Sequence, residues 1–333
     1  MARTREDMLA ALKANPKVQA VVIGGGINGI STFRELALQG VRVLLVDRGD
    51  FCGACSSAPS RMIHGGLRYL ENGEIALVRE SLRERDALLR NAPHFVRPLP
   101  TTVPIQHLFS GLLNSAFGVL RLRNEPAERG ALAVKVGLTF YDFLSRDNRT
   151  MPPHTFRRYE ETAALWPDLP PSVRFSATYY DAWISHPERL GIDLIGDGLE
   201  ANGEALAINH LGVTGRAGER VVLRDSLGDG TVEASADVIV NATGAWVDET
   251  NVALAEGGPQ PEAFVGGTKG SHLVLDHPDL MRALNGHMIY FENVDGRGAS
   301  CFPTWGGCSS APPISASTSR EACAVRTTRS STF

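Results

Sequence analysis

A glycine-rich hexapeptide carries the most specific chemistry in this sequence. Residues 24–29 read Gly-Gly-Gly-Ile-Asn-Gly, which has the spacing GxGxxG. They follow a short apolar run and open a helix-like stretch, and in that setting each glycine has a separate task. Gly24 makes a tight turn, Gly26 lets the backbone approach a pyrophosphate, and Gly29 lets the helix pack closely against the strand. The motif therefore predicts a dinucleotide site.

An acidic residue stands where such a site needs one. Asp47 follows a second apolar run, 18 residues beyond Gly29, and a carboxylate there accepts hydrogen bonds from an adenosine ribose. The same charge repels a 2′-phosphate. Ile27 and Asn28 at the helix N-terminus, where N–H groups attract phosphate, and Arg48 beside the acid complete the predicted site. Its spacing fits NAD and FAD equally.

Two strands and one helix must hold these residues. Residues 18–23 and 41–46 are apolar, β-branched runs, and residues 28–39 between them have helical spacing. Such a βαβ unit joins parallel strands, which implies an α/β fold with a sheet covered on both faces. Phe33 departs from the pattern, because a small residue usually stands at that position of the helix.

Downstream of this unit the sequence favours further helices, one of them around residues 141–144, and several strands. A surface helix rich in Arg and Glu is predicted at residues 74–91. Three short runs separated by turn residues predict an antiparallel meander, and a fourth run predicts a buried strand. These runs are residues 205–213, 220–225, 231–234 and 237–241.

Composition and charge exclude several classes of protein. The chain has 333 residues, of which 43% are hydrophobic and 21% charged, and a formal net charge of −4. These values favour a folded protein of two domains and leave no basic field for nucleic acid. The five cysteines lack a repeated paired spacing, so we expect neither a disulfide framework nor a metal site, although Cys52 and Cys55 have CxxC spacing.

The longest apolar region, residues 108–122, is shorter than the ~20 residues that span a bilayer. We interpret it as a helix packed on its own domain, with a helix on a membrane surface as the alternative. The first 17 residues lack the apolar core of a signal peptide. We therefore expect a cytoplasmic protein, with peripheral contact to the inner membrane left open.

Beyond these patterns, several sequence blocks resemble the FAD-dependent glycerol-3-phosphate dehydrogenases, within the wider glycine and D-amino-acid oxidase superfamily. The blocks are GGGINGI, IHGGLRYLE, RNAPHFVRPLP, VNATGAWVDE and KGSHLV, and they follow the order that the family shows. The resemblance implies FAD as cofactor. It also implies a Rossmann-like FAD-binding domain with a parallel sheet and an antiparallel meander, plus a partial α+β substrate domain.

The resemblance also implies domain boundaries up to residue 297. Beyond it the sequence is dominated by Ser, Thr, Ala, Pro, Arg and Cys and has neither a helical nor a strand period, which predicts an irregular tail. We expect an N-terminal extension, a discontinuous FAD-binding domain, two substrate-domain segments and an irregular tail. In that order they are residues 1–17; 18–105 and 186–250; 106–185 and 251–297; and 298–333.

The same resemblance assigns residues to the cofactor. The serine loop of the family lies along the pyrophosphate and flavin, which matches Ser56, Ser57 and Ser60, with Gly65, Gly66 and Leu67 close to the ring. Val213 is expected near adenine, and Ala242 and Gly244 where the chain returns to the dinucleotide.

For catalysis, the resemblance points to oxidation of sn-glycerol 3-phosphate to dihydroxyacetone phosphate by hydride transfer to flavin. This reaction needs a base for the hydroxyl proton and a cation for the phosphate. His272 is the predicted base, and Arg68 and Lys269 are predicted to neutralise substrate charge, with Tyr69 beside them. A quinone or another acceptor would take the electrons.

Two alternatives remain open at this stage. An amine or amino-acid oxidase of the same superfamily would share the fold and FAD, and a flavin-binding fragment would lack catalysis. The resemblance ends near residue 297, and the family's chains continue further. Shifting the reading frame of back-translated residues 326–333 gives an acidic segment, Asp-Asp-Glu-Val-Glu-Tyr-Phe. We therefore interpret the chain as truncated, with a frame change near residue 298, a poorly packed tail and little activity.

Overall fold

The computed structural model describes most of the chain. The described residues are 3–70, 73–108, 131–146, 150–228, 230–258, 261–270, 272–292, 298–304, 307–311 and 315–316. The chain divides into two compact units. The first unit comprises Met1–Pro59 and His186–Gly267, and the second comprises Ser60–Ser185 and Thr268–Phe333.

The described helices alternate with strands through most of the chain. The helices are α1 (Arg5–Ala14), α2 (Ile27–Leu38), α3 (Leu67–Leu70), α4 (Ile75–Asn91), α5 (Ala131–Leu144), α6 (Tyr159–Leu165), α7 (Pro187–Ala201), α8 (Val247–Leu254) and α9 (Pro278–Leu284). The strands are β1 (Lys17–Ile23), β2 (Val43–Val46), β3 (Met62–Ile63), β4 (Val96–Ile105), β5 (Thr155–Arg158), β6 (Phe175–Ile184), β7 (Leu206–Ile208), β8 (Leu211–Ala217), β9 (Arg220–Asp225), β10 (Thr231–Asn241), β11 (Thr268–Lys269), β12 (Leu273–Leu275), β13 (Met288–Glu292), β14 (Gly298–Thr304), β15 (Gly307–Ala311) and β16 (Ser315–Ala316).

In the first unit, six of the described strands form one sheet in the order β7-β2-β1-β10-β9-β8. The pairs β2–β7, β1–β2 and β1–β10 are parallel, and β10–β9 and β9–β8 are antiparallel. The predicted combination of a parallel sheet and an antiparallel meander is therefore confirmed. It places the carboxyl ends of β1, β2 and β10 at the same edge, where ligands of such sheets bind.

Both faces of this sheet are buried, as a parallel sheet requires. Because side chains alternate along a strand, Ala20 and Val22 of β1 face α2 and α7, in a core with Ile30 and Phe33. Val21 belongs to the opposite core, which also takes Met8 and Leu12 from α1. The two cores hold the sheet edge in place between helices.

The meander differs in detail from its prediction. The run at residues 205–213 is two strands, β7 and β8, because the chain turns at His210, whose φ is +53°. The runs at 231–234 and 237–241 form one strand, β10. Its first half pairs with β9 and its second half with β1, so a single strand links the meander to the parallel sheet.

The second unit contains a larger sheet, ordered β12-β15-β14-β13-β4-β6-β3, with β5 paired to β6. Within the described residues, β4 and β6 pair along their whole lengths, from Val96↔Ile184 to Ile105↔Phe175. Helices α4 and α5 pack on one face of β6 through Val78, Leu82 and Leu138. Strand β3 joins the edge beside β6 and leads directly into residues 64–66.

The prediction of an irregular tail from about residue 298 is wrong for its first part. Strand β14 pairs with β13 and β15, and Cys301 and Phe302 are buried, the latter at 1% exposure. Pairing on both sides supplies the hydrogen bonds, although the composition is poor in β-branched residues. Residues 317–333 lie outside the described part of the chain.

The division into compact units also bears on the expected domains. Residues 60–105 belong to the second unit and residues 251–267 to the first. The domain boundaries drawn from the resemblance stay a proposal.

The position of Phe33 yields a test of the packing. Phe33 is fully buried, and α7 accommodates it at Gly198, where an added Cβ would lie 2.8 Å from its ring. We expect Gly198→Ala to lower the free energy of unfolding by ~1–3 kcal/mol through overpacking, measured by urea denaturation.

Gly196 is the matched control, since it lies in the same helix with nothing within 4 Å of an added Cβ. Gly196→Ala should raise the free energy of unfolding by ~0.5–1 kcal/mol, because alanine is the better helix former. Equal effects of the two substitutions would show that Phe33 and Gly198 do not limit the helix packing.

Candidate functional site

The turn after β1 can be made only by glycine. Gly24 has φ +106°, and its N–H donates to the Val46 carbonyl oxygen at 2.8 Å. A Cβ at Gly24 would lie 2.6 Å from the Ala242 oxygen. The backbone of the turn therefore touches the end of β10, and a side chain would separate them.

Gly29 is enclosed even more tightly. A Cβ there would lie 1.8 Å from the Gly24 carbonyl oxygen, and 3.3 Å from the Ala242 Cβ. The first turn of α2 thus rests directly on the glycine turn. Close packing at the third glycine of the motif is therefore present as predicted, because backbone atoms occupy the space that a side chain would need.

The N-terminus of α2 presents N–H groups at this sheet edge. Gly26 is the N-cap residue in extended conformation and has no side chain to cap the helix. The N–H of Ile27 donates to Ser56 Oγ at 2.9 Å. Among the described residues, no acceptor faces the N–H groups of Asn28 and Gly29. A 12-residue helix with open first-turn donors is a fitting anion site.

Asp47 is fixed by two backbone N–H groups at the end of β2. Its Oδ2 accepts from Gly25 at 2.6 Å and its Oδ1 from Gly49 at 2.8 Å. A carboxylate has about four lone-pair positions, so roughly two remain for ribose hydroxyls. The carboxylate is therefore held in one orientation beside the glycine turn.

Arg48 stacks on an aromatic ring that the sequence reasoning did not single out. Its guanidinium carbon lies 4.6 Å from the centre of the Trp246 ring, a cation–π distance. A Cβ at Gly212 would lie 3.0 Å from the Arg48 Cβ, so β8 approaches the same side chain. Trp246, two residues after Gly244, was the signal in the sequence that could have indicated this stack.

The end of β10 is shaped by Asn241. Its Oδ1 accepts from the Thr243 hydroxyl at 2.7 Å, and its Nδ2 donates to the Val247 carbonyl at 2.8 Å. Ala242 donates its N–H to Ile23 at 2.8 Å, and Gly244 has φ +59°. These bonds turn the chain away at the sheet edge.

Two other predicted residues of the first unit, Val213 and Ser57, have contacts that serve only the local fold. Val213 of β8 pairs with Leu223 of β9, next to a register irregularity, and packs on the core. The Ser57 hydroxyl donates to the Ala54 carbonyl at 2.9 Å. The first unit thus joins Gly24, Gly26, Gly29, Asp47, Ser56 and Ala242 by close contacts. The cofactor roles of these residues, and those of Val213 and Ser57, stay predictions.

In the second unit, the loop after β3 contains the remaining predicted cofactor residues. Gly66 has φ +77°, and its carbonyl accepts from the Tyr69 N–H at 2.8 Å, which starts α3. The Tyr69 ring lies 6.2 Å from the His64 ring. Ser60 is half-buried before β3, and Leu67 begins α3 and packs on the core under α4.

A buried polar cluster supports this loop. The Gly65 N–H donates to Asp181 Oδ1 at 2.8 Å. Arg85 donates from Nη1 to the Tyr141 hydroxyl at 3.0 Å and from Nη2 to Asp86 at 2.9 Å. Sequence reasoning missed this cluster, although Arg85 and Asp86 at adjacent helix positions and an acid in a buried strand are the signals that could have found it.

The cluster changes the acidity of its members. Burial raises the pKa of the Asp181 carboxyl, although the Gly65 N–H and Arg85 act in the opposite direction. Burial and the adjacent Asp181 raise the pKa of the Tyr141 hydroxyl well above its usual value. Burial lowers the pKa of Arg85, but Tyr141, Asp86 and Asp181 outweigh it, and the net shift is upward. Arg85 is therefore the fixed cation of the cluster.

The predicted substrate residues also lie in the second unit. Lys269 is in β11, paired with Ser315 of β16, and His272 precedes β12. Desolvation lowers the pKa of the His272 imidazole, although much of the side chain is exposed. The side chains of Arg68 and Lys269 lie outside the described residues, so their convergence with His272 stays a prediction.

Cysteine and metal chemistry find no support in the described residues. Cys52 is buried, and burial raises the pKa of its thiol, as do Glu188 and Asp47, which disfavours a reactive thiolate. No group of three or more potential metal ligands occurs within the part of the chain that the structure describes. No described helix is long and apolar enough to cross a membrane.

Comparison with known proteins gives this geometry a context. A glycerol-3-phosphate dehydrogenase of Synechocystis sp. is 37% identical over 276 residues, which are 79% of this chain and 46% of the relative. The aerobic glycerol-3-phosphate dehydrogenase of Escherichia coli is 32% identical over 258 residues, 77% of this chain and 46% of the relative. The chain thus spans about half the length of these curated relatives.

The fold is shared with a solved structure. The glycerol-3-phosphate dehydrogenase from Bacillus halodurans complexed with FAD superposes with a TM-score of 0.68 at 20% identity, covering 97% of this chain and 52% of that one. The family model described as FAD dependent oxidoreductase matches residues 19–315, which include strands β14 and β15. The chain belongs to the FAD-dependent oxidoreductases.

Proposed function

We propose that this chain binds FAD and oxidises sn-glycerol 3-phosphate to dihydroxyacetone phosphate. The observation that carries the proposal is the cradle at the sheet edge: Gly24 and Gly29 leave room for backbone only, Gly26 presents no side chain at the start of α2, and Asp47 stands beside them. The family supplies the cofactor, and the names of the relatives supply the substrate class.

The cradle suits the adenosine diphosphate half of FAD. The open N–H groups of Asn28 and Gly29 would donate to the pyrophosphate, with Ser56 at the rim, where Gly26 has no side chain to block the approach. Asp47 would accept from the ribose hydroxyls. Arg48, stacked on Trp246, would offer its exposed face to the adenine, since guanidinium groups stack on flat rings.

The remaining cofactor assignments rest on the family resemblance. Ser57 and Ser60 are proposed to line the pyrophosphate and flavin, with Gly65, Gly66 and Leu67 near the ring. Val213 is proposed near adenine, and Ala242 and Gly244 at the return of the chain. Small residues and backbone N–H groups suit these positions, because a flat ring needs close approach.

The chemistry divides between cofactor and protein. FAD, when bound, would supply the acceptor for the hydride from C2 of the substrate. A ring nitrogen of His272 takes the hydroxyl proton, so that the alcohol becomes a ketone and both hydrogens are accounted for. Arg68 and Lys269 bind the phosphate, and Tyr69 orients the substrate beside them. The two electrons would pass on to a quinone or another acceptor, and a peripheral membrane contact would serve a quinone.

The competing reading is an amine or amino-acid oxidase with the same fold. Reduction of a dye with glycerol 3-phosphate, compared with a panel of amino acids, separates the two substrate classes. Flavin absorption without turnover on either class would instead identify a binding protein. For a dehydrogenase of this kind we propose a cytoplasmic location.

The glycine cradle yields the first functional prediction. Gly29→Ala should abolish FAD binding, since the added Cβ would stand 1.8 Å from the Gly24 oxygen and push α2 off the turn. The measurement is visible absorption of the purified chain after incubation with FAD and gel filtration. Retention of the flavin bands by a folded Gly29→Ala protein would contradict the proposed cradle.

Gly203 provides the control, since nothing lies within 4 Å of a Cβ added there. Gly203→Ala should bind FAD like the unaltered chain. Gly26→Ala should fall between them, because its Cβ would meet only the Ser56 oxygen, at 3.3 Å.

The proposed base and phosphate ligand should separate kinetically. His272→Ala should lower kcat by ~10²–10⁴-fold with FAD still bound, whereas Arg68→Ala should chiefly raise KM, by ~10-fold or more. His277→Asn is the control, because His277 Nδ1 accepts from Leu280 as a helix cap and asparagine can cap equally well. Loss of flavin in both test variants would assign these residues to folding.

The pH profile tests His272 independently. A base must be neutral, and desolvation lowers the pKa of His272, so the neutral form persists to lower pH than for an ordinary histidine. The acid limb of kcat/KM should therefore have its midpoint below ~6.5, and His272→Ala should remove that limb. A midpoint above this value would exclude His272 as the titrating base.

A further inference from the structure

We propose that Asp181 is a positioning residue that fixes the backbone of the loop after β3, residues 64–66, through the Gly65 N–H. The inference rests on the proposed function, in which this loop faces the flavin. It deepens that function by naming the group that sets the geometry of this loop.

Asp181 lies in β6 beside the end of β3. Met62 and Ile63 pair with Trp183 and Ala182 of β6, so the next residues run alongside Asp181. Its Oδ1 accepts from the Gly65 N–H at 2.8 Å and from the Tyr141 hydroxyl at 3.3 Å. The carboxylate therefore continues the strand pairing with a side chain where β3 ends.

The cluster around this carboxylate is almost sealed from solvent. Asp181, Arg85 and Asp86 are exposed by only 2%, 3% and 2%. Arg85 Nη1 lies 3.7 Å from Asp181 Oδ1 and also donates to the Tyr180 carbonyl at 3.2 Å. Buried charges are tolerated only in well-satisfied geometry, so the position of Asp181 is strongly determined.

Gly65 is confined from the other side. A Cβ there would lie 1.9 Å from the Tyr141 hydroxyl oxygen, 2.7 Å from Leu82 and 2.9 Å from Arg85 Nη1. The loop backbone is thus pressed against the residues that hold Asp181. Close packing fixes its distance from the cluster, and the bond to Asp181 fixes the direction of its N–H group.

The test uses a graded pair of variants and a matched control in the purified chain. Asp181→Ala removes the acceptor, whereas Asp181→Asn keeps an oxygen but loses the charge that strengthens the bond. Asp86→Asn is the control. It removes the charge of an equally buried carboxylate that also pairs with Arg85, and it leaves the acceptor of the Gly65 N–H in place. Hydrogen exchange of peptides covering residues 61–69 reports on the loop, and the absorption spectrum of bound FAD reports on the flavin.

The expected exchange rate of the loop rises by ~10-fold or more in Asp181→Ala, less in Asp181→Asn, and stays unchanged in Asp86→Asn. The flavin band positions should shift in the same order, with FAD still bound. Unchanged loop exchange in folded Asp181→Ala, an equal rise in Asp86→Asn, or an unshifted flavin spectrum despite faster exchange would each overturn the proposal.

A second pair of variants covers the case in which Asp181→Ala does not fold. Gly65→Ala should loosen the loop, and adding Tyr141→Phe, which removes the oxygen at 1.9 Å, should restore part of its protection. Absence of any rescue would overturn the proposed confinement. Absence of flavin bands in the unaltered chain would refute the proposed function, whereas the exchange measurements would still decide the role of Asp181.

Discussion

The contact between the first turn of α2 and the carbonyl oxygen of Gly24 sets the geometry of the first unit. With only 1.8 Å between that oxygen and a Cβ at Gly29, the helix can approach the strand only without a side chain at this position. The approach directs the helix N-terminus over the edge of β1, where Asp47 and the end of β10 already meet. The donors of the helix, the carboxylate and the turn at Ala242 share one place because this one contact is so short.

The same constraint explains which parts could be predicted from sequence. The motif, its strand and its acid lie within a short stretch of chain, and the glycine spacing encodes their contact directly. The contacts of Trp246 with Arg48 and of Asp181 with Gly65 join segments that are distant in the chain. The packing of Phe33 against Gly198 does so as well. No local period reports such pairings, so a residue type that is odd for its surroundings, such as an acid in a buried strand, is the only clue.

Strand β14 is a case in which the sequence predicted an irregular segment and the structure has a strand. Its composition has no strand period, yet Phe302 and Cys301 are buried between β13 and β15. Pairing with β13 over residues 298–301 and with β15 over residues 300–304 supplies partners for the backbone, and this outweighs weak intrinsic preference. Composition therefore measures what a segment would do alone, whereas its neighbours in the sheet decide what it does in the chain.

The two carboxylates that support the proposed function, Asp47 and Asp181, differ in their electrostatic surroundings. Asp47 is half-exposed and takes N–H donors from glycines, so its charge remains available to a ligand. Asp181 is buried, and burial raises its pKa.

For an acid whose pKa is higher in the folded than in the unfolded state, the protonated form is favoured by folding. The contribution of Asp181 to stability is thus greatest below its unfolded pKa and declines as the pH rises through the folded value. Arg85 limits that decline, because it offers the ionised carboxylate a buried partner. The chain accepts this cost at a position where an N–H acceptor holds the loop backbone, which an apolar side chain of the same size could not do.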